Sequence, residues 1–170
     1  MRRPDLSRVP EWYHGYIKAV KVDDFREAMQ QQTLELPAFL ANIPESKRKY
    51  RYAPGKWTVQ EVVQHISDAE RIFGYRALCF ARKDETPLPA FDENEYAKHS
   101  NADSRDWTQM QSEFMSLRAA NELMFASFDD AQLACIGTAN QSQMSVLDLG
   151  FIIVGHVTHH LNIIANRYLQ

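Results

Sequence analysis

Three of the six histidines in the chain fall within five residues, at His156, His159 and His160, and a fourth, His65, stands in an earlier helical pattern. Side chains four residues apart share one face of a helix, so His156 and His160 can present their imidazoles side by side. A third imidazole from a neighbouring helix would complete a three-nitrogen metal site with open coordination positions. The ion in a metalloenzyme uses such positions to bind water or substrate.

An apolar stripe indicates which histidines of the last helix point inward. The stripe passes through Leu149 and Ile153 and continues to His156 and His160. His159 lies on another face, which predicts either a surface position or a place behind the metal ligands.

His65 follows the apolar register of its own helix, so it can face the same interior. A lone inward histidine is more often a hydrogen-bonded core residue than a ligand. Three imidazoles buried together favour a shared metal, because burying them without partners is costly. We therefore predict a metal site made by His65, His156 and His160. Asp68 and Glu70 could serve as a general base or could orient a ligand imidazole. The two remaining histidines, His14 and His99, have no other histidine near them in the helical pattern and are not expected to bind metal.

Composition limits the classes of function. The 170 residues carry a net charge of -3 without a concentrated basic face, so we expect no nucleic-acid partner. The start of the chain lacks the apolar region of a signal peptide, and no uninterrupted apolar run reaches about 18 residues, so we expect no membrane partner. Cys79 and Cys135 form no C-x-x-C pair, which favours a reducing cytoplasm.

Helical periodicity dominates the chain, and strand-like alternation is scarce, which predicts a single all-α domain over residues 1–170. A short helix is expected from Pro10 to Val20, and Pro37 should bend or split the first long helix. The four long helices are expected at Val22 to Leu40, at Val59 to Arg82 after a Thr58 cap, from a cap at Asp103 or Ser104 to about Phe128, and from a Ser145 cap to the C-terminus.

Two connections interrupt the helical pattern. Lys83 to Asp103 is too long for a simple connection and is typical of a lid or a binding segment, whereas Cys135 to Ser142 is predicted to be a turn. Several side chains have a functional interpretation beside a structural one. Arg76 and Arg167 could anchor a substrate carboxylate or be surface and capping residues. Trp57, Phe91 and Tyr96 could be pocket walls or only pack. Cys79 could be a nucleophile, but it has no partner nearby in the sequence and is expected in the core.

Two segments carry a resemblance to a known family. The segment from Tyr52 to Glu70 reads YAPGKWTVQEVVQHISDAE, and the segment from Gly155 to His160 reads GHVTHH. They resemble the start of the second helix and the C-terminal histidine motif of the DinB/YfiT-like metalloenzymes of the DinB superfamily. The resemblance covers essentially the whole chain. It departs from the family at Leu161 and Asn162, where many members have a glycine-glutamine pair.

The resemblance implies an antiparallel four-helix bundle with an up-down-down-up course, here with a short extra N-terminal helix, that is often a homodimer. It assigns the divalent metal to His65, His156 and His160. It also implies a metal-dependent hydrolase or a thiol-dependent transferase, in which zinc or nickel activates water or a low-molecular-weight thiol for a small-molecule substrate. The alternative is a non-enzymatic metal-binding or stress-response interaction module.

Overall fold

Capping residues and apolar stripes stabilise the helices of this chain. The computed structural model describes residues 3–170. The elements in chain order are α1 (His14–Ala19), α2 (Phe25–Ala41), α3 (Glu45–Arg48), α4 (Val59–Ala81), α5 (Glu93–His99), α6 (Trp107–Ala126), α7 (Asp130–Leu133), β1 (Ile136–Ala139), β2 (Ser142–Ser145) and α8 (Val146–Ile163). A π-helical turn at Ile164–Tyr168 extends α8, and a 3-10 turn at Glu11–Tyr13 leads into α1.

Capping boxes begin the two helices that carry the candidate ligands. Thr58 accepts a hydrogen bond from the Glu61 amide at 3.0 Å, while the Glu61 carboxylate accepts one from the Thr58 amide at 2.7 Å. Ser145 and Asp148 repeat this exchange at the start of α8, at 3.1 and 2.7 Å. Because a capping box satisfies two amides that have no partner in the helix, it fixes where each helix starts. Both predicted starts are confirmed.

Contacts between the four long helices establish the course of the bundle. The pairs are Glu70–Arg118 and Gln60–Met110 for α4 with α6, Phe25–Phe125 and Gln32–Arg118 for α2 with α6, Phe25–Phe151 and Gln32–Thr158 for α2 with α8, and His65–His160 and Phe73–His156 for α4 with α8. In these pairs α4 runs parallel to α6 and antiparallel to α8, while α2 runs parallel to α8 and antiparallel to α6. The order α2, α4, α6, α8 is therefore up, down, down, up.

The interior consists of two apolar clusters with polar groups between them. One cluster centres on Phe25, Phe73 and Phe125, and the other on Leu40 and Phe114. The buried polar side chains at the level between them include Gln32, Glu70, Arg118, Asn121 and His156. Buried polar groups need partners, so this layer must be internally bonded.

Some local predictions need correction. Pro37 does not split α2, because Leu36 and Leu40 on either side of it are buried and hold the segment in the core. The cap of α6 is Asp106 rather than Asp103 or Ser104, since its carboxylate accepts from the Gln109 amide.

A hairpin replaces the turn predicted from Cys135 to Ser142. Strands β1 and β2 pair antiparallel, with Ala139 opposite Ser142 at the turn end. Asn140 and Gln141 between them have φ values of 49° and 60°, the positive range that a two-residue type I′ turn requires. The strands are too short to show an alternating pattern in the sequence.

The helix α8 with its π-helical turn, Val146–Tyr168, is long and apolar enough to cross a membrane by length and composition alone. In this structure 61% of its most apolar window is buried inside the bundle. Its apolar character therefore matches its place in the core.

Candidate metal centre

Helices α4 and α8 bring His65, His156 and His160 together. The Nε2 atom of His156 lies 3.0 Å from Nε2 of His65 and 3.1 Å from Nε2 of His160. One nitrogen from each ring falls within a group whose members all lie within 4.8 Å of one another. His65 and His156 are only 7% and 4% exposed, and His160 is half-buried. The predicted trio therefore forms one cluster that is open on the side of His160.

The two separations at His156 suit a divalent ion. Two nitrogens that each bind one ion at about 2.0–2.1 Å are separated by about 2.8–3.4 Å when the angle at the ion is between about 90° and 109°. The separations of 3.0 and 3.1 Å at His156 fall in that interval. Among residues 3–170, this trio is the one group of three histidine, cysteine or acidic side chains whose ligand atoms lie close enough to share an ion. Three ligands leave at least one coordination position free.

Burial keeps the imidazoles in the form that binds metal. Desolvation lowers the pKa of His65 to about 4 and that of His160 to about 3, with smaller effects from neighbouring histidines. It also lowers the pKa of the buried His156 well below its usual range. At neutral pH all three rings are therefore neutral and offer lone pairs.

A close approach between α1 and α8 forms one wall of the site. A Cβ atom on Gly155 would lie 2.0 Å from the backbone oxygen of Tyr16, so the two helices can pack this closely only because residue 155 is glycine. The packing places the Tyr16 ring edge-on to His156, with 5.3 Å between the ring centroids. On the other side, Trp57 lies 4.7 Å from His65 by the same measure.

A cavity of about 490 Å³ opens over the histidines. Its aromatic walls are Trp12, Tyr13, Tyr16, Trp57, Phe73 and Phe91. Its polar lining, apart from the histidines, consists of Arg76, Glu93 and Asn140. Ligand sites are typically apolar hollows with a few placed polar groups, and this cavity has that form.

Asp68 and Glu70, the predicted general bases, bind elsewhere. Asp68 accepts from Gln64 at 2.9 Å and forms an ion pair with Arg71 at 3.5 Å. Both carboxylate oxygens of Glu70 accept from Arg118, at 2.9 and 2.8 Å. Neither residue lines the cavity or bonds to an imidazole. The expected role of these two carboxylates therefore has no support in their contacts.

The other predicted candidates divide between cavity and scaffold. Trp57, Phe91 and Arg76 line the cavity, whereas Tyr96 packs on Phe91 at 5.4 Å and Arg167 is exposed outside it.

The remaining histidines and the cysteine have other settings. His159 is exposed, as predicted, and its ring contacts Tyr16. His14 bonds to the Val9 carbonyl oxygen at 2.8 Å, and His99 is a surface partner of Glu95. Cys79 packs in the core, as predicted.

Besides the predicted Phe91, the long connection and the hairpin bring Glu93 and Asn140 to the cavity, and neither was predicted. Glu93 lies in the first turn of α5, which Asp92 caps by accepting from the amides of Asn94 and Glu95. That cap was the available signal for a helix inside the connection. Asn140 is carried by the hairpin, which bonds to the connection through Leu88. No pattern in the sequence indicated that contact.

Comparison with known proteins shows the family of this chain. The sequence pattern of the DinB superfamily matches residues 27–164. A protein from Geobacillus thermodenitrificans named "Putative metal-dependent hydrolase" is 28% identical over 146 residues, which are 84% of this chain and 82% of that protein. A second protein with that description, from Oceanobacillus iheyensis, is 29% identical over 82 residues, 46% of this chain and 47% of that protein.

A solved structure has the same fold. It is described as "YfiT from Bacillus subtilis is a probable metal-dependent hydrolase with an unusual four-helix bundle topology". The superposition has a TM-score of 0.74 at 18% identity and covers 95% of this chain and 89% of the other. With the family match over most of its length, and with the same unusual bundle, this chain belongs to the DinB superfamily.

Proposed function

We propose that this protein is a metal-dependent hydrolase in which His65, His156 and His160 hold one divalent ion, zinc or nickel. The observation that carries the proposal is the convergence of three neutral imidazole nitrogens on the floor of a cavity. The relatives named as metal-dependent hydrolases support the choice of reaction. A site with three protein ligands favours catalysis over a structural role, since structural ions normally have four.

His65, His156 and His160 would hold the ion through neutral nitrogens, and the ion would supply the positive charge that makes water a nucleophile near neutral pH. The residues of the chain provide binding, orientation and exclusion of water. The rings of Trp57, Tyr16 and Phe73 enclose the reactive side of the histidines and lower the local polarity. A poorly hydrated site strengthens each electrostatic interaction inside it.

Glu93 is the residue best placed to accept a proton. Within residues 3–170, Glu93 is the one acidic residue that lines the cavity, and its side chain reaches the rim from the first turn of α5. Tyr16 also lines the cavity, and burial, followed by the nearby Tyr13 and Glu93, raises the pKa of its hydroxyl, so it stays protonated and can donate a hydrogen bond to a bound substrate. Glu93 would act as the general base, and the Tyr16 hydroxyl would orient the substrate beside it.

The same site suits a thiol. A sulfur bound at an open position of the ion would be held as thiolate, so a thiol-dependent transferase is the variant of this proposal that uses a thiol in place of water. In a non-enzymatic metal-binding module the cavity would have no function and would result only from packing. The enclosed aromatic walls beside the three histidines favour a substrate site.

The proposal is tested by hydrolysis of a panel of small esters and amides by the zinc- and nickel-loaded protein. Glu93→Gln should lower the turnover number by about 10²-fold or more, because a general base typically contributes that much. Metal content should not change in that variant. The matched control is Glu95→Gln, two residues further along α5, where the exposed side chain pairs with Lys98. Activity that is unchanged by metal removal would refute the proposal.

A further inference from the structure

Arg76 is a buried cation without a matching anion. The residue is 2% exposed, and it forms no ion pair with any carboxylate of residues 3–170. Its one hydrogen bond to protein runs from Nη2 to the carbonyl oxygen of Pro89 at 2.8 Å. A guanidinium has five N–H donors, so most of its capacity is free. A buried charge normally has a partner, because its desolvation is otherwise uncompensated.

The guanidinium lines the cavity that contains the histidine cluster. Its Cζ atom lies 5.8 Å from the Phe73 ring centroid, and that ring lies 5.9 Å from the ring of His156. One phenyl ring therefore separates Arg76 from the candidate metal ligands. Both centres face the same space, so a small molecule can reach them together.

The charge of the cavity favours an anion. Histidine ligands carry no negative charge, so a divalent ion held by this trio would keep its positive charge, and Arg76 would add another. Glu93 lies at the exposed rim and does not pair with Arg76. Arginine presents parallel donors that match a carboxylate, which makes it well suited to bind one.

We propose that Arg76 binds a carboxylate of the substrate, so that this site acts on small anionic molecules whose reactive group reaches the metal. The inference rests on the proposed metal site, and it adds the class of substrate. Carboxylate binding would supply the missing counter-charge. It would also orient the substrate, with its carboxylate at Arg76 and its reactive group on the other side of Phe73, near the histidines. Arg76 is thus a specificity-determining residue.

The experiment uses the cobalt(II)-loaded protein and two thiols of equal size, 3-mercaptopropionate and its neutral analogue 3-mercaptopropionamide. Binding of each sulfur to cobalt is followed by the sulfur-to-metal charge-transfer absorbance, which gives two dissociation constants. Their ratio in the natural protein is compared with the ratio in Arg76→Met. We expect the variant to lose at least about tenfold of the preference for the carboxylate, with little change for the amide, as charge-assisted hydrogen bonds predict.

Controls separate recognition from folding. Arg82→Met removes an arginine from the end of the same helix, where Cζ lies 5.6 Å from the Phe128 ring, and should leave the ratio unchanged. Arg76→Lys keeps a charge and a donor for Pro89, and should retain part of the preference. An unchanged ratio of the two dissociation constants in Arg76→Met would overturn the inference. If the ratio stayed the same while both thiols bound more weakly, Arg76 would be assigned to holding the Pro89 segment.

A result against the proposed metal site can be distinguished from a result against the Arg76 inference. If the natural protein takes up no cobalt, the proposed function fails, and Arg76 is tested on the metal-free protein. In that case propionate is titrated while the Nε–Hε resonance of Arg76, assigned by its loss in Arg76→Met, is followed by nuclear magnetic resonance. A saturable shift would support the carboxylate site, and a resonance that does not move would overturn it.

Discussion

Glu70 and Arg118 form a two-pronged ion pair in the middle of the bundle, with Nε donating to Oε1 at 2.9 Å and Nη2 donating to Oε2 at 2.8 Å. Their side chains are 1% and 0% exposed. Gln32 on α2 accepts from Arg118 and donates to Thr158 on α8, so the pair is bonded to all four long helices. This network lies in the polar layer beside the three histidines and connects the four helices by hydrogen bonds.

Arg118→Met should lower the free energy of unfolding by about 3–5 kcal/mol, because it leaves the Glu70 carboxylate buried without a counter-charge. Urea denaturation measures the loss. The matched control is Arg71→Met, whose ion pair with Glu113 is partly exposed, and it should cost less than about 1 kcal/mol. The double variant Glu70→Leu/Arg118→Met should recover part of the loss. Equal destabilisation by Arg118→Met and Arg71→Met would contradict this role of the network.

Gly155→Ala should separate α1 from α8. The added methyl group would lie 2.0 Å from the Tyr16 carbonyl oxygen, so the backbone must move, at a cost of about 1–3 kcal/mol. Gly15→Ala is the control on the facing helix, where an added Cβ meets nothing within 4 Å. Thermal unfolding should distinguish the two variants. If both have the same melting temperature, Gly155 is not the close contact described here.

The metal-free protein should become less stable as the pH falls from 7 towards 4. In the unfolded chain these histidines take up protons near their usual pKa of about 6.5, whereas burial lowers the folded pKa of His65 to about 4 and of His160 to about 3. The unfolded state therefore binds more protons across this interval, and stability decreases as the pH is lowered. Well above the unfolded pKa, at about pH 8, neither state holds protons on these rings and the effect disappears.

The urea midpoint at several pH values measures this effect, with His65→Gln/His160→Gln as the comparison. The variant lacks two of the titrating rings, so its midpoint should fall less between pH 7 and 4. Parallel curves for the two proteins would show that the histidines are not buried as neutral rings.

The sequence was sufficient for the features that depend on local spacing. The i, i+4 pair His156 and His160, the capping boxes at Thr58 and Ser145, and the apolar stripes all have a direct structural meaning, and the structure confirms them. The up-down-down-up course came from the family resemblance. It depends on which helices pack together, and helical periodicity carries no information about that.

The positions of Glu70 and Glu93 show where local spacing was not enough. Glu70 follows His65 by five residues, which places it about 140° further round the helix. That rotation turns its carboxylate towards α6 and Arg118, while His65 faces α8. Glu93 reaches the cavity through the fold of the long connection, a tertiary contact that residue spacing does not reveal. The homodimer, the cytoplasmic location and the absence of membrane and nucleic-acid partners stay predictions.

The most direct test is the metal content of the purified, untagged protein by mass spectrometry, beside His156→Ala/His160→Ala and the control His159→Ala. His159 is the exposed neighbour of the two ligands and does not belong to the cluster. We predict about one divalent ion per chain in the natural protein and in His159→Ala, and none in the double variant with its helical content retained. Equal metal in all three proteins, or none in the natural protein after reconstitution, would contradict the three-histidine site.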